Sequence, residues 1–348
     1  MAARTCVLST RWKHLPWLLP ELSINVEDFL SVPCTEPIEA NYMEEAMVSL
    51  TKATRSFLSD QQRGCTISSL HLKLYLINTF LCEVGPLVGG AIDNGSLKDL
   101  DLTVLDGTEP LDCSDEDMLQ RAQEIDTFFH AYPSVLNCLT KLSLQNAGFD
   151  NLDMHHLLFD CCKQLKHLRL CYCDTGTYSV FKIDAPNSKL CVLEIDVCRF
   201  ERLELVCLPK LEKFICITWV ASQHVPVWNH VCDVGEFRGD IFRDRKTPQW
   251  EMRFDGSENR LLKELEIGGF RALEQQFTFI RSMLERSPNL QKITLLGDDQ
   301  CDECDALDAS LHPSKFPEKD EEEMVAERIR DGLFSPEIIF DEDWSLSI

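Results

Sequence analysis

The sequence predicts an α/β repeat solenoid, with short parallel strands along a concave face and helices or irregular segments along a convex face. Three observations predict it. An apolar skeleton, L-x-x-L-x-L, recurs along the chain. Its two clearest copies start about 25 residues apart, a period typical of stacked supersecondary units. Both of those copies end on a cysteine, Cys173 in one and Cys198 in the other.

The first clear unit is Cys162-x-x-Leu165-x-x-Leu168-x-Leu170-x-x-Cys173, and the second is Leu190-x-x-Leu193-x-Ile195-x-x-Cys198. The skeleton recurs at Leu97, Leu100, Leu102 and at Leu139, Leu142, Leu144. It recurs again at Leu211, Phe214, Cys216, at Leu262, Leu265, Ile267 and at Leu290, Ile293, Leu295, with a weaker copy at Ile67, Leu70, Leu72. In the L-x-L part the apolar side chains alternate along a strand, so both point to one side. A small thiol at the following turn sits against backbone groups without leaving a void. One such unit cannot bury its apolar side alone, and stacking makes the core continuous. Period and skeleton together are those of a leucine-rich repeat, and the array spans residues 60–300.

Strand alternation also names the concave positions, the residues flanking the two inner apolar ones. They are Ser143 and Gln145, His167 and Arg169, Glu194 and Asp196, Lys213 and Ile215, Glu264 and Glu266, and Lys292 and Thr294. So mixed a surface suits a protein partner better than a lipid or a nucleic acid. Between Leu211 and Leu262 lies a stretch about two repeats long. It holds Trp228, Trp250 and the run Arg243-Asp244-Arg245-Lys246, and reads as an irregular, ligand-contacting insert.

The 348 residues carry a net charge of −24. A chain so acidic repels phosphate backbones, which sets nucleic acid aside as a ligand. Roughly half of the excess negative charge follows Gly297. Residues 301–348 read as an acidic tail. Asp320-Glu321-Glu322-Glu323 forms a solvated loop, Met324 to Ile329 a short helix, and Phe334 to Phe340 packs back on the last repeat. No apolar run approaches the ~20 residues of a bilayer span, and the amino end lacks a secretory h-region. The expectation is an intracellular protein, cytoplasmic or nuclear, without a membrane partner. The 17 cysteines are then reduced, buried thiols rather than a disulfide framework, and the Asn94-Gly95-Ser96 sequon carries no glycan.

Chemistry-bearing patterns are sparse. Cys161, Cys162, Cys171 and Cys173, or Cys301-x-x-Cys304, would need matched pairs to make a structural zinc site. Cys162 and Cys173 are already explained by the repeat. His155-His156 opens the convex helix of its repeat. No nucleophile elbow, phosphate-cradling loop or His-Glu-x-x-His occurs. The chain is expected to be no enzyme and to use no metal or cofactor.

At the amino end, Val7, Leu8, Trp12 and Leu15 fall on one helical face before Pro16, a helix that could cap the array. The run Arg4-Thr5-Cys6-Val7-Leu8-Ser9-x-Arg11-Trp12-Lys13-x-Leu15, then Leu19-Pro20-x-Leu22 and Asp28-Phe29-Leu30, resembles the carboxyl half of a plant F-box. Residues 262–296, with Gly268-Gly269-Phe270, Phe277, Phe279, Met283 and Leu284, are similar to the FBD-type region of the same F-box/leucine-rich-repeat family. The resemblance implies a substrate-recognition subunit of a cullin–RING ubiquitin ligase of the SCF type. The F-box at residues 1–30 would dock a Skp-type adaptor through Leu8 and Trp12, oriented by Arg11, and the repeats would hold a protein substrate. The family's opening F-box helix, Leu-Pro-x-x-Ile/Leu-Leu, is not in this sequence, so about half of the docking module is expected here. The alternative is a ligase-independent repeat scaffold, with Leu8 and Trp12 as cap packing.

Overall fold

The computed structural model describes residues 19–31, 38–58, 66–108, 113–149, 153–175, 180–198, 200, 202–217, 259–270, 272, 274–297, 316–330 and 336–341. The chain divides into two compact units, Met1–Asp174 and Thr175–Ile348. Both mix helices with parallel strands. The docking triplet Leu8, Arg11 and Trp12, the 218–258 insert with its tryptophans, and Cys301-x-x-Cys304 lie outside the described residues.

In the first unit, strand β1 (Glu21–Asn25) runs into a 3-10 turn (Val26–Phe29), and helix α1 (Ala40–Leu58) follows in the chain. Then come β2 (Ile67–Tyr75), α2 (Asn78–Asp93) and β3 (Leu97–Leu105). Helices α3 (Asp115–Ala131) and α4 (Pro133–Cys138) precede β4 (Leu139–Gln145). A π-helical turn over His156–Cys161 leads to β5 (His167–Cys171). Each strand pairs in parallel with the next in chain order.

The apolar skeleton explains the register. Ile24, Leu72, Leu102, Leu142 and Leu168 stand opposite one another across the five strands. Leu74, Val104, Leu144 and Leu170 make the row beside it, and every member of both rows is buried. One alignment differs from the sequence skeleton. Leu100 and Leu102 do not face Leu142 and Leu144; Leu102 and Val104 do, with an irregularity between Leu100 and Asp101. β3 offers three inward residues in a row of alternation, so leucine spacing alone is ambiguous by two positions.

Helices cover the apolar rows for ordinary reasons. α1 buries Ala46, Met47, Leu50, Thr54 and Leu58, one face at helical spacing. α3 starts at a capping box in which Ser114 and Asp117 satisfy each other's backbone amides. Those bonds from Ser114 hold the Asp117 carboxyl below its usual range. α3 then buries Met118, Ala122, Ile125 and Phe129. In α2, Gly85 has the Tyr132 ring where a β-carbon would stand, so only a glycine lets that ring lie against the helix.

In the second unit, β6 (Val180–Asp184) pairs in parallel with β8 (Arg202–Cys207) as a separate two-stranded sheet. β7 (Val192–Asp196) pairs with β9 (Lys213–Ile217). β9 pairs with β10 (Glu264–Ile267), and α5 (Glu274–Arg286) leads to β11 (Lys292–Leu296) beside β10. Helix α6 (Glu322–Arg330) then precedes β12 (Glu337–Asp341), a parallel neighbour of β11. The sequence predicts an acidic tail over residues 301–348, of which Phe334 to Phe340 packs back. Its Glu337–Asp341 segment packs back as a hydrogen-bonded strand.

The inward rows of this unit are Leu193, Phe214, Leu265, Ile293, Ile338 and Ile195, Cys216, Ile267, Leu295, Phe340. All are buried except the two on β12, which are half-buried. α5 adds Phe277, Phe279, Ile280, Met283 and Leu284 to this core.

A backbone feature recurs with the skeleton. Asn146, Tyr172, Val197 and Gly269 all have positive φ, between 51° and 65°. Each follows its second inward residue (Leu144, Leu170, Ile195 or Ile267) by two positions. Left-handed backbone is costly for side chains other than Gly, Asn and Asp. Its return at one place, on residues as different as Tyr and Val, shows that the chain leaves these four strands by the same turn.

Candidate binding face

The residues opposite the apolar rows form an outward strand face in each unit. In the first, one row reads Ser23, His71, Asp101, Lys141, His167, and the next Asn25, Lys73, Thr103, Ser143, Arg169. In the second, the rows read Val192, Lys213, Glu264, Lys292, Glu337 and Glu194, Ile215, Glu266, Thr294, Ile339. Asp196 and Ile217 begin a third row. Neighbouring strands lie about 4.8 Å apart and alternate residues about 6.6 Å along a strand. Either face is therefore a grid of side chains that a partner surface could meet at several points.

All twelve concave positions named from the sequence lie on these strands. Glu264 is exposed, and Gln145, His167, Arg169, Glu194, Lys213, Glu266, Lys292 and Thr294 are half-buried. Ser143, Asp196 and Ile215 are buried, at 9%, 2% and 8% exposure. The reading missed Lys141, the outward neighbour of His167 in the register, and Val192, opposite Lys213. It also missed the faces of β1, β2, β3 and β12. Alternation around Leu142 could have found Lys141. Nothing in the leucine spacing announced β12.

Hydrogen bonds tie parts of the face together. His71 Nδ1 lies 2.7 Å from Asp101 Oδ2, and the Thr140 hydroxyl donates to Asp101 Oδ1 at 2.7 Å. These contacts link β2, β3 and β4. Ser69 Oγ lies 3.5 Å from His71 Nε2 on the same strand. Lys73 reaches Glu27 at 2.8 Å.

In the second unit, Lys213 stands among carboxylates, 3.1 Å from Glu266 and 3.6 Å from Glu264. Burial alone would lower the Lys213 pKa. The hydrogen bond to Glu266 and the charges of Glu266, Glu264 and Glu194 outweigh it, and the pKa rises. By linkage, this contribution is complete below the unfolded lysine value, about 10.4, and is lost as pH rises through the higher folded one.

Cys162, Cys173 and Cys198 are thiol donors to the backbone. Cys173 Sγ lies 3.4 Å from the Cys171 carbonyl and 3.6 Å from that of Leu144. Cys198 makes the equivalent contact with the Asp196 carbonyl at 3.5 Å. Cys162 donates to Leu157 at 3.3 Å. Burial, aided by Asp99, pushes Cys138 up to about 11. Burial, aided by Cys161, pushes Cys162 up to about 12. Burial raises Cys216 too, with the Asp196 charge adding to it. Such thiols stay protonated at neutral pH and act as packing groups. Cys82, Cys138, Cys161, Cys162, Cys173, Cys191 and Cys216 carry free thiols, and among the described residues no group of three or more His, Cys, Asp or Glu side chains is placed to hold a metal ion.

No helix among the described residues is long and apolar enough to cross a membrane. Compared with protein-family models and with curated proteins, the chain matches none.

Proposed function

We propose that this chain is a leucine-rich-repeat protein of the F-box type. In this reading its strand face receives a protein substrate for a cullin–RING ubiquitin ligase of the SCF type. The observation that carries the binding role is the aligned register: apolar rows run inward across successive parallel strands while polar rows run outward. The left-handed exit residue at one position of four strands supports a repeated unit. The ligase link is supported by the resemblance of residues 4–30 to an F-box, with Leu8, Arg11 and Trp12 as adaptor contacts.

A specific observation favours the ligase-independent scaffold as a second reading. Glu21–Asn25, inside the F-box-like segment, is itself a strand paired with β2. That part of the segment serves the sheet.

Titration calorimetry with a purified Skp-type adaptor separates the two. The chain fused to a family F-box opening helix is expected to form a one-to-one complex. Trp12→Ala is expected to weaken it by about thirtyfold or more, as for a buried interface anchor. A fusion that binds no adaptor would support the scaffold reading instead.

A further inference from the structure

From the charge and apolar pattern of the second unit we infer that its strand face docks a basic segment of a protein partner, one with aliphatic side chains set between its cations. The inference rests on the binding role proposed above and gives the partner's chemistry.

Five outward carboxylates of this face are exposed or half-buried: Glu194, Glu264, Glu266, Glu337 and Asp341. Against them stand Lys213 and Lys292. Lys213 is held by Glu266 and Glu264, a cluster of two carboxylates and one cation that keeps a net negative charge. Aliphatic residues stand among these charges, on β9 and on the edge strand β12. Ile215 stands between Glu194 and Glu266 in the register. Ile217 packs against Gly268, where a β-carbon would lie 3.0 Å from its Cγ2. Ile339 stands beside Thr294.

A protein interface joins apolar contacts with polar ones. On this face the exposed or half-buried carboxylates outnumber the lysines five to two. An acidic peptide would meet repulsion both from that excess and from the −24 charge of the whole chain. A basic segment gains from both, chiefly in association rate. Ile217 and Ile339, both half-buried, add a requirement that charge does not: a partner with cations alone leaves their exposed parts in contact with water.

The test uses the full chain and fluorescence anisotropy. The probe is a labelled nine-residue peptide of lysine and isoleucine spaced by glycine. Two control peptides replace lysine by glutamate or isoleucine by glycine. The lysine–isoleucine peptide is expected to bind about tenfold or more tighter than either, and more weakly as salt rises from about 50 to 300 mM. Glu264→Lys with Glu337→Lys is expected to weaken it about tenfold. Glu318→Lys with Glu323→Lys changes the net charge equally but lies off the face, and is expected to change binding by less than about twofold. Ile339→Ser leaves charge alone and is expected to weaken binding about threefold to fivefold. Equal weakening by the two double variants would overturn the inference, because the peptide would then sense only the net charge. Equal binding of the glutamate peptide would overturn it as well. Adaptor binding by the fused chain, without any peptide preference, would overturn this inference and leave the ligase reading standing. Peptide preference without adaptor binding would support it and remove the ligase link alone.

Discussion

Replacing Asn146 by leucine is expected to destabilise the first unit by about 2–4 kcal/mol, read as a lower urea midpoint with an unchanged slope. Asn146 is 1% exposed and has φ 51° directly after β4. Its amide donates to Asp106 at 2.8 Å and to the Thr108 carbonyl at 3.0 Å. Asp106 also pairs with Arg121 at 3.0 Å, and Arg121 donates to the Thr108 hydroxyl at 3.0 Å and to Cys113 Sγ at 2.6 Å. Leucine removes both donors at once and puts a less tolerant residue into left-handed backbone. Buried acceptors that lose a donor pay their desolvation in full. Asn146→Gly keeps the backbone conformation and loses only the amide. It is expected to cost less than the leucine variant, and equal losses would assign the whole effect to the hydrogen bonds.

The second large effect is expected at Phe277, where alanine should cost about 3–5 kcal/mol in the second unit. The Phe277 ring is fully buried and meets Phe270 edge-on, with centroids 5.9 Å apart and planes at 85°. The Arg328 guanidinium of α6 lies 4.0 Å over the same ring and also contacts Glu274. Removing the ring opens a cavity and takes away the seat of Arg328. Arg328→Ala alone is expected to cost about 0.5–1 kcal/mol, because the side chain is 47% exposed. In the Phe277→Ala background that cost is expected to shrink. A double-mutant cycle measures the difference, and full additivity would contradict the stacking contribution.

What the sequence revealed, and what it hid, follows from the kind of signal each element carries. The parallel strands were legible because inward leucines repeat at a fixed spacing, as at Leu168 and Leu170 or Leu265 and Ile267. The cysteines that follow β5 and β7 were legible too, because a small thiol suits a turn that needs a weak donor, as Cys173 and Cys198 show against their carbonyls. The β3 register was less legible, since Leu100, Leu102 and Val104 all alternate inward and the irregularity at Leu100 selects the last two. β12 was hidden by charge: Glu337 and Asp341 flank Ile338 and Phe340 within an acidic region, so its alternation over five residues was swamped by composition. The β6–β8 pair was missed although Leu203 and Leu205 alternate inward opposite Phe181 and Ile183, because both segments fall between copies of the clearest skeleton. Of the outward strand face, alternation located the residues but not their burial. That Asp196 and Ile215 are buried while Glu264 is exposed depends on neighbours from other strands.

An alanine scan of stability through β5 and β10 tests the central arrangement most directly, because inward rows and outward face are assigned there residue by residue. Leu168, Leu170, Leu265 and Ile267, buried at 0–1% exposure, are each expected to cost about 2–5 kcal/mol. Arg169, Glu264 and Glu266, on the outward face between them, are expected to cost less than about 1 kcal/mol each. Large and small losses alternating in this phase on both strands is the predicted result. Losses that are uniform, or that alternate in the opposite phase on either strand, would contradict it.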